Sequence, residues 1–107
     1  NTVIPGVRTL TESEVTALRK FAAGFDAETI ATLAAHEAVT VHDVKAVEYT
    51  IKDALVEIGA DDLSELVHFC CTSEDINNLS WALGIKEATE QVWLPRAKAL
   101  IDALADT

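Results

Sequence analysis

Apolar side chains recur every three or four residues along most of the chain, which is the pattern of amphipathic helices. The clearest stripe consists of Val44, Val47, Ile51, Leu55 and Ile58. Gly59 follows this stripe, and glycine is the usual residue just past a helix because it adopts a left-handed backbone without strain. No segment alternates polar and apolar residues with the period of two that a half-buried strand needs. The pattern therefore predicts an all-α fold.

Two shorter helices are predicted before this stripe. Thr11, with Glu14 three residues later, fits a capping box and predicts the start of the first helix. Gly24 is a plausible end for it. Asp26 then begins a second helix, which is predicted to end around Ala38.

The last third of the chain predicts one long helix, which follows a short helical segment that Asp62 would cap. This helix runs from about Glu74 to the end, and Thr72 and Asp75 form a pair similar to a capping box at its start. Pro95 should kink it, because proline removes one backbone donor and clashes with the preceding turn. The helix is apolar on more than one side, which is typical of a helix inside a bundle. We therefore expect the chain to self-associate through this helix.

Composition narrows the class of protein. The chain has 107 residues and a net charge of -10. This charge argues against binding to nucleic acid or anionic lipid, because such binding requires clustered Lys and Arg. Cys70 and Cys71 are adjacent and are the only two cysteines in the sequence, which disfavours a disulfide and favours a reducing cytoplasm. No apolar run approaches the roughly 18 residues of a membrane span. The sequence contains no Met, so we expect a fragment or a processed product.

One candidate site lies where the third helix should begin, near His42. On a helix, His42, Lys45 and Tyr49 share one face. Imidazole, ammonium and phenol can together donate several hydrogen bonds to a phosphate or carboxylate, and the backbone N–H groups of a first helical turn also favour an anion. The alternative is that these are ordinary exposed residues, with Asp43 acting as the helix cap.

A second candidate site lies at the start of the long helix. The hydroxyls of Thr72 and Ser73, together with unpaired backbone N–H groups, could hold an anion there. Asn77 and Asn78 are weak helix formers, which favours a functional reason for their presence. The alternative is a plain helix cap without a ligand.

The remaining residues offer little further chemistry. His36 and His68 have apolar neighbours and are expected to pack in the core or on the surface. No Ser-His-Asp triad, glycine-rich phosphate loop or set of metal ligands can be assembled from the sequence. We therefore expect neither a metal nor a cofactor.

Both candidate sites carry a resemblance to a known family. The run HDVKAVEY at 42–49 and the run TSEDINN at 72–78 are similar to adenylosuccinate lyase of the bacterial long-helix type, within the fumarase/aspartase superfamily. The resemblance extends from about Ala38 to the end, with shorter matches at His68–Phe69, Val92–Pro95 and Leu100–Asp102. A Thr-Ser-x-Asp start to a long helix is shared across the superfamily, whereas the two runs together narrow the match to this family.

The resemblance implies an architecture and an activity. Residues 1–70 would form part of a small N-terminal helical domain, and residues 71–107 the truncated start of a central helical bundle. The complete enzyme would be a cytoplasmic homotetramer whose active sites each draw on three chains. It would eliminate fumarate from adenylosuccinate to give AMP, and would cleave the succinylaminoimidazole carboxamide ribonucleotide in purine biosynthesis.

The resemblance also implies which residues contact substrate. The family's nucleotide-contacting His-Asp pair corresponds to His42 and Asp43, and its Thr-Ser pair, which holds the succinyl carboxylates, corresponds to Thr72 and Ser73. Lys45 is a possible further contact. The family's general acid histidine and general base serine belong to segments that this chain lacks, so we expect no catalytic residue in it and no activity from it alone.

Some features leave other interpretations open. Val41 departs from the family, which often has a polar residue such as Asn before the His-Asp pair, so a side-chain contact to substrate there is doubtful. A non-enzymatic helical interaction domain is one alternative function, although it would have no reason to carry TSEDINN. Argininosuccinate lyase, from the same superfamily, is another, which the run HDVKAVEY disfavours.

Overall fold

A computed structural model of the chain describes residues 4–107. This range forms α-helices, one 3₁₀ helix and one π-helical turn, and it contains no strand. In chain order the α-helices are α1 (Glu12–Ala23), α2 (Ala27–Thr40), α3 (Asp43–Glu57), α4 (Ser73–Ala88) and α5 (Leu94–Ala105). The predicted all-α fold is confirmed. The chain divides into two compact units, one ending at Cys70 and the other running from Cys71 to Thr107.

The first two helices begin where the sequence predicts. The hydroxyl of Thr11 accepts the Glu14 N–H at 3.2 Å, and the Glu14 carboxylate accepts the Thr11 N–H at 2.7 Å, which completes the capping box. Gly24 ends α1. Asp26 caps α2 by accepting the Thr29 N–H at 2.9 Å, and this hydrogen bond lowers the pKa of Asp26.

The end of α2 lies at Thr40 rather than near Ala38. The helix extends further because the N–H of Val41 donates to the carbonyl of Glu37 at 2.8 Å. Val41 then adopts the left-handed region, with φ 51° and ψ 34°. A β-branched side chain is strained in that region because Cβ approaches the backbone too closely. A strained single residue thus joins α2 to the cap of α3.

The centre of the first unit is α3, which packs chiefly against α2 and also contacts α1 and the 3₁₀ helix at Asp61–Leu66. The predicted apolar stripe faces this core, since Val44 and Leu55 are buried and its other members are half-buried. Burying a side chain such as Leu55 contributes about 1.5–3 kcal/mol. Gly59 has φ 73°, as expected for a residue just past a helix end. The buried hydrophobic residues are Val44, Ala46, Ala54, Leu55, Ala60 and Leu63.

A network around Arg8 ties the segment before α1 to the 3₁₀ helix. The guanidinium donates to Asp62 at 2.6 and 2.7 Å and to Glu14 at 2.9 Å through two nitrogens. These hydrogen bonds lower the pKa of Glu14 to about 2, lower that of Asp62 and raise that of Arg8. The prediction that Asp62 caps the short helical segment is therefore wrong. Ala60 precedes that helix without a side-chain cap, and the Asp62 carboxylate pairs with Arg8 instead.

The second unit is a nearly continuous helix. A π-helical turn at Thr89–Trp93 separates α4 from α5, and Pro95 lies in the first turn of α5. The predicted kink at Pro95 stays a prediction, although this π turn ends two residues before the proline. None of the residues in α4, the π turn or α5 is buried. The exposed large apolar side chains include Leu79, Trp81, Leu83, Ile85, Val92, Trp93, Leu100, Ile101 and Leu104.

Neither a membrane-spanning helix nor a metal-binding cluster is present in the described part of the chain. Among residues 4–107, no helix is both long and apolar enough to cross a membrane. The same residues contain no group of three or more His, Cys, Asp or Glu side chains that could hold a metal ion. Cys70 and Cys71 lie outside any disulfide, and Cys70 has a left-handed backbone with φ 59°.

Candidate functional site

His42 is the cap of α3, and its backbone is extended, with φ -152° and ψ 115°. Its ring nitrogen Nδ1 accepts the N–H of Lys45 at 3.3 Å, and its side chain is 48% exposed. A nitrogen that accepts a hydrogen bond must carry a lone pair, so the proton of the neutral imidazole is assigned to Nε2. Cap formation therefore fixes both the ring orientation and the tautomer of this candidate residue.

Asp43 is the first residue of α3 and does not act as its cap. Its carboxylate accepts the N–H of Val44 at 2.7 Å and lies 3.5 Å from Nδ1 of His42. The side chain is 72% exposed. His42 and Asp43 are thus adjacent, exposed and held in defined orientations by backbone N–H groups of the first helical turn.

Lys45 directs its ammonium along α3, away from the helix start. Nζ lies 2.7 Å from Oε2 of Glu48 and 5.2 Å from the ring centroid of Tyr49. Of His42, Lys45 and Tyr49, which the spacing predicts on one helix face, Lys45 and Tyr49 are in contact. The positive charge of Lys45 is largely offset by Glu48, so this residue offers an anion remaining N–H donors rather than net charge.

Glu48 is the polar residue of this region that sequence reasoning missed. It is 4% exposed, and its second oxygen pairs with Lys52 at 3.0 Å. Burial alone would raise the pKa of Glu48, but the hydrogen bonds from Lys45 and Lys52 outweigh burial and leave this pKa below its usual value. The signal was present in the sequence as lysines three residues before and four residues after a glutamate within an apolar helix.

His36 packs against α3 through polar contacts. Its Nε2 lies 2.6 Å from a carboxylate oxygen of Asp53, and its ring centroid lies 5.7 Å from that of Tyr49. The expectation that His36 serves in packing is consistent with this position, which joins α2 to α3.

The second candidate site opens α4, in the second unit. Thr72 is the helix cap, with an extended backbone at φ -114° and ψ 166°. Its N–H donates to the Asp75 carboxylate at 2.7 Å, so the predicted pairing of Thr72 with Asp75 is confirmed. Ser73 is the first residue of α4 and is half-buried, whereas Thr72 is exposed. The hydroxyls of both residues therefore stand at the end of the helix where backbone N–H groups favour an anion.

A family model described as lyase matches residues 3–107. The chain belongs to this lyase family. Adenylosuccinate lyase of Escherichia coli is 49% identical to it over 85 residues, which are 78% of this chain and 19% of that enzyme. Adenylosuccinate lyase of Vibrio cholerae is 52% identical over 71 residues, 64% of this chain and 15% of that enzyme. Adenylosuccinate lyase of Legionella pneumophila is 38% identical over 105 residues, 97% of this chain and 23% of that enzyme.

These comparisons bear on the resemblance in two ways. The predicted similarity to adenylosuccinate lyase is confirmed, and the similarity to the Legionella enzyme extends over nearly the whole chain. The chain spans only about a fifth of the length of these relatives.

Proposed function

We propose that this chain is part of an adenylosuccinate lyase that eliminates fumarate from adenylosuccinate to give AMP. The same enzyme would cleave the succinylaminoimidazole carboxamide ribonucleotide in purine biosynthesis. The observation that carries this proposal is that the runs HDVKAVEY and TSEDINN both lie at the start of a helix. Each run opens a helix with a polar cap, and relatives named adenylosuccinate lyase match this chain at 49% and 52% identity.

In this proposal the two helix starts bind different parts of the substrate. His42 and Asp43 contact the nucleotide, with the imidazole donating through the nitrogen that does not serve as the cap. Thr72 and Ser73 hold the succinyl carboxylates through hydroxyl and backbone N–H donors. Lys45 is a possible further contact, since 43% of its side chain is exposed although its charge is paired.

Proton transfer would be performed by residues outside this chain. The proposed elimination needs a base for the carbon next to a carboxylate and an acid for the departing nitrogen. The chain would therefore supply substrate contacts only, and by itself it is expected to give no turnover of adenylosuccinate. The complete enzyme is proposed to act in the cytoplasm without a cofactor.

The assembly of the complete enzyme is inferred from the exposed apolar side chains of the second unit. The apolar side chains of α4 and α5 lie in water along more than one face, and exposed patches beyond a few hundred Å² are uncommon on stable monomers. We propose that this helix pair joins the core of a homotetramer in the complete enzyme. Light scattering of that enzyme during gel filtration should give a mass of four chains, and a stable monomer would contradict the proposal.

The site assignment is tested by His42→Ala and Ser73→Ala in the complete enzyme. Losing one oriented hydrogen bond to a bound anion should lower kcat/KM roughly 10- to 100-fold. His36→Ala is the matched control for His42→Ala, because it also removes an imidazole but one that contacts Asp53 instead of opening α3. Ser80→Ala is the control for Ser73→Ala, because Ser80 lies further along α4 and away from its start. Fumarate release is followed by absorbance, and circular dichroism checks the fold.

One outcome would correct the site assignment, and two others would overturn the proposed function. Wild-type kinetics in a folded His42→Ala or Ser73→Ala enzyme would remove that residue from the site. Turnover of argininosuccinate rather than adenylosuccinate would assign the chain to another lyase. Absence of any lyase activity in the complete protein would leave a helical interaction domain as the function.

A further inference from the structure

We propose that Thr40 is a positioning residue for His42. The hydroxyl of Thr40 donates to the backbone carbonyl of His42 at 3.1 Å, so this hydrogen bond spans Val41. The inference rests on the proposed function, because it concerns how His42 is presented to substrate. Thr40 itself is half-buried at the end of α2 and acts only through its neighbour.

The joint between α2 and α3 needs such a restraint because Val41 is strained. Its left-handed backbone, with φ 51°, is unfavourable for a β-branched residue. The residue is 87% exposed, so little packing holds it in place. If Val41 relaxed to an extended backbone, the direction of the chain would change at the next residue, and His42 would move with it.

The hydrogen bond from Thr40 reaches the carbonyl at which α3 starts. The carbonyl of His42 also accepts the N–H of Ala46 at 3.0 Å, the first backbone hydrogen bond of α3. One oxygen is therefore shared between the last residue of α2 and the first turn of α3. Fixing that peptide group fixes the backbone from which the imidazole projects.

The direction of this hydrogen bond distinguishes Thr40 from other threonines in the same unit. The hydroxyls of Thr16 and Thr32 donate backwards, to carbonyls four residues earlier in their own helices. That is the ordinary behaviour of threonine within a helix. Thr40 instead donates forwards and out of its helix, to a residue of the next element. Its hydroxyl thus stabilises the connection between α2 and α3 rather than the helix to which it belongs.

Removal of this hydroxyl should reduce the fraction of molecules in which His42 is correctly placed. Apparent affinity falls in proportion to that fraction. The net effect of one neutral hydrogen bond corresponds to a factor of roughly 2 to 10. We therefore expect Thr40→Val in the complete enzyme to raise KM for adenylosuccinate about 2- to 10-fold, while kcat changes by less than about 2-fold.

The experiment compares Thr40→Val with Thr16→Val and Thr32→Val, which remove a hydroxyl of the same kind elsewhere in the unit. These controls should leave KM unchanged, and Thr40→Ser should restore it by returning the donor. A KM in Thr40→Val equal to that of the wild type or of the controls would overturn the proposal. A lower melting temperature without a change in KM would show a structural role only.

Two further measurements separate this inference from the proposed function. In a Val41→Asn background, where the residue tolerates the left-handed region, the effect of Thr40→Val should shrink, because the joint no longer needs the restraint. Hydrogen exchange at the amides of Lys45 and Ala46 should be faster in Thr40→Val than in Thr32→Val. If the complete protein releases no fumarate, the proposed function fails, and the exchange rates still decide whether Thr40 braces the joint. Equal exchange in the two variants would refute it.

Discussion

The buried carboxylate of Glu48 offers the sharpest test of how the first unit is held together. Glu48→Gln keeps the shape of the side chain but removes the charge that pairs with Lys45 at 2.7 Å and Lys52 at 3.0 Å. Glu65→Gln is a matched control. Glu65 also contacts Lys52, at 3.1 Å, but its side chain is 94% exposed.

The expected change in the free energy of unfolding depends on how deeply each carboxylate and its lysine partners are buried. Two hydrogen bonds to a charged group would contribute about 1.5–3 kcal/mol each, before the desolvation of the carboxylate is subtracted. That desolvation amounts to several kcal/mol, and the two lysines, 43% and 19% exposed, can turn towards water once their partner is neutral. We expect Glu48→Gln to lower the free energy of unfolding by about 2 kcal/mol. Glu65→Gln should lower it by less than about 0.5 kcal/mol, as for other exposed ion pairs.

The assay is urea unfolding of the chain, followed by circular dichroism at the helix band. Tryptophan fluorescence would not report on this change, because Trp81 and Trp93 both lie in the second unit. A loss of about 2 kcal/mol corresponds to a melting temperature lower by roughly 10 °C in a domain of this size. Equal unfolding midpoints for Glu48→Gln and Glu65→Gln would refute the reasoning.

The pH dependence of unfolding tests independently whether the charge of Glu48 stabilises the folded state. The folded pKa of Glu48 is lowered by its lysine partners, so its contribution to stability is present above the unfolded pKa of about 4.3. It is lost as the pH falls from there through the folded pKa. The difference in stability between wild type and Glu48→Gln should therefore be full at pH 7 and shrink on acidification below about 4.3. A difference that persists at the lowest pH would instead reflect packing of the side chain.

Two further predictions concern other parts of the first unit. Arg8→Gln should raise the pKa of Glu14 from about 2 towards about 4.3, as measured by NMR titration of its carboxyl carbon, because the hydrogen bonds from Arg8 are the main cause of the shift. In the wild type, the contribution of Glu14 to stability should be lost as the pH falls from about 4.3 to about 2. An unchanged pKa of Glu14 in the variant would show that Arg8 is not the cause of the shift. Val41→Asn should raise the free energy of unfolding by about 1 kcal/mol, because Asn tolerates the left-handed region better than a β-branched residue. A neutral or destabilising effect in urea unfolding would show that φ at this position is not strained.

The features that could be predicted from sequence are those that depend on near neighbours. The caps at Thr11 and Asp26 use hydrogen bonds to residues three positions later, so a short window of sequence contains both partners. The apolar stripe of α3 has the period of a helix and needs no tertiary information. The resemblance at the two helix starts is also local, since each motif is one run of seven or eight residues.

The features that were missed depend on distant partners or on backbone conformation. Arg8 and Asp62 are 54 positions apart, so a short window of sequence suggests a helix cap at Asp62 and does not contain its actual partner. At Val41 the sequence indicates only the absence of a polar side chain, and the strained backbone is visible only in three dimensions. Thr40 carries no sequence signal, because threonine near a helix end usually donates within its own helix.

The charges of the first unit constrain how this chain could contact an anionic substrate. Within the described part of the first unit, Lys45 and Lys52 both pair with Glu48, and Arg8 pairs with two carboxylates. The chain as a whole carries a net charge of -10, which repels phosphates and carboxylates at long range. Attraction to such a substrate would therefore rest on short-range donors, the imidazole of His42 and the hydroxyls and N–H groups that open α4. Short-range donors act only when they are oriented correctly. This requirement is the reason that the strained joint at Val41, and the hydroxyl of Thr40 that spans it, are expected to matter for substrate binding.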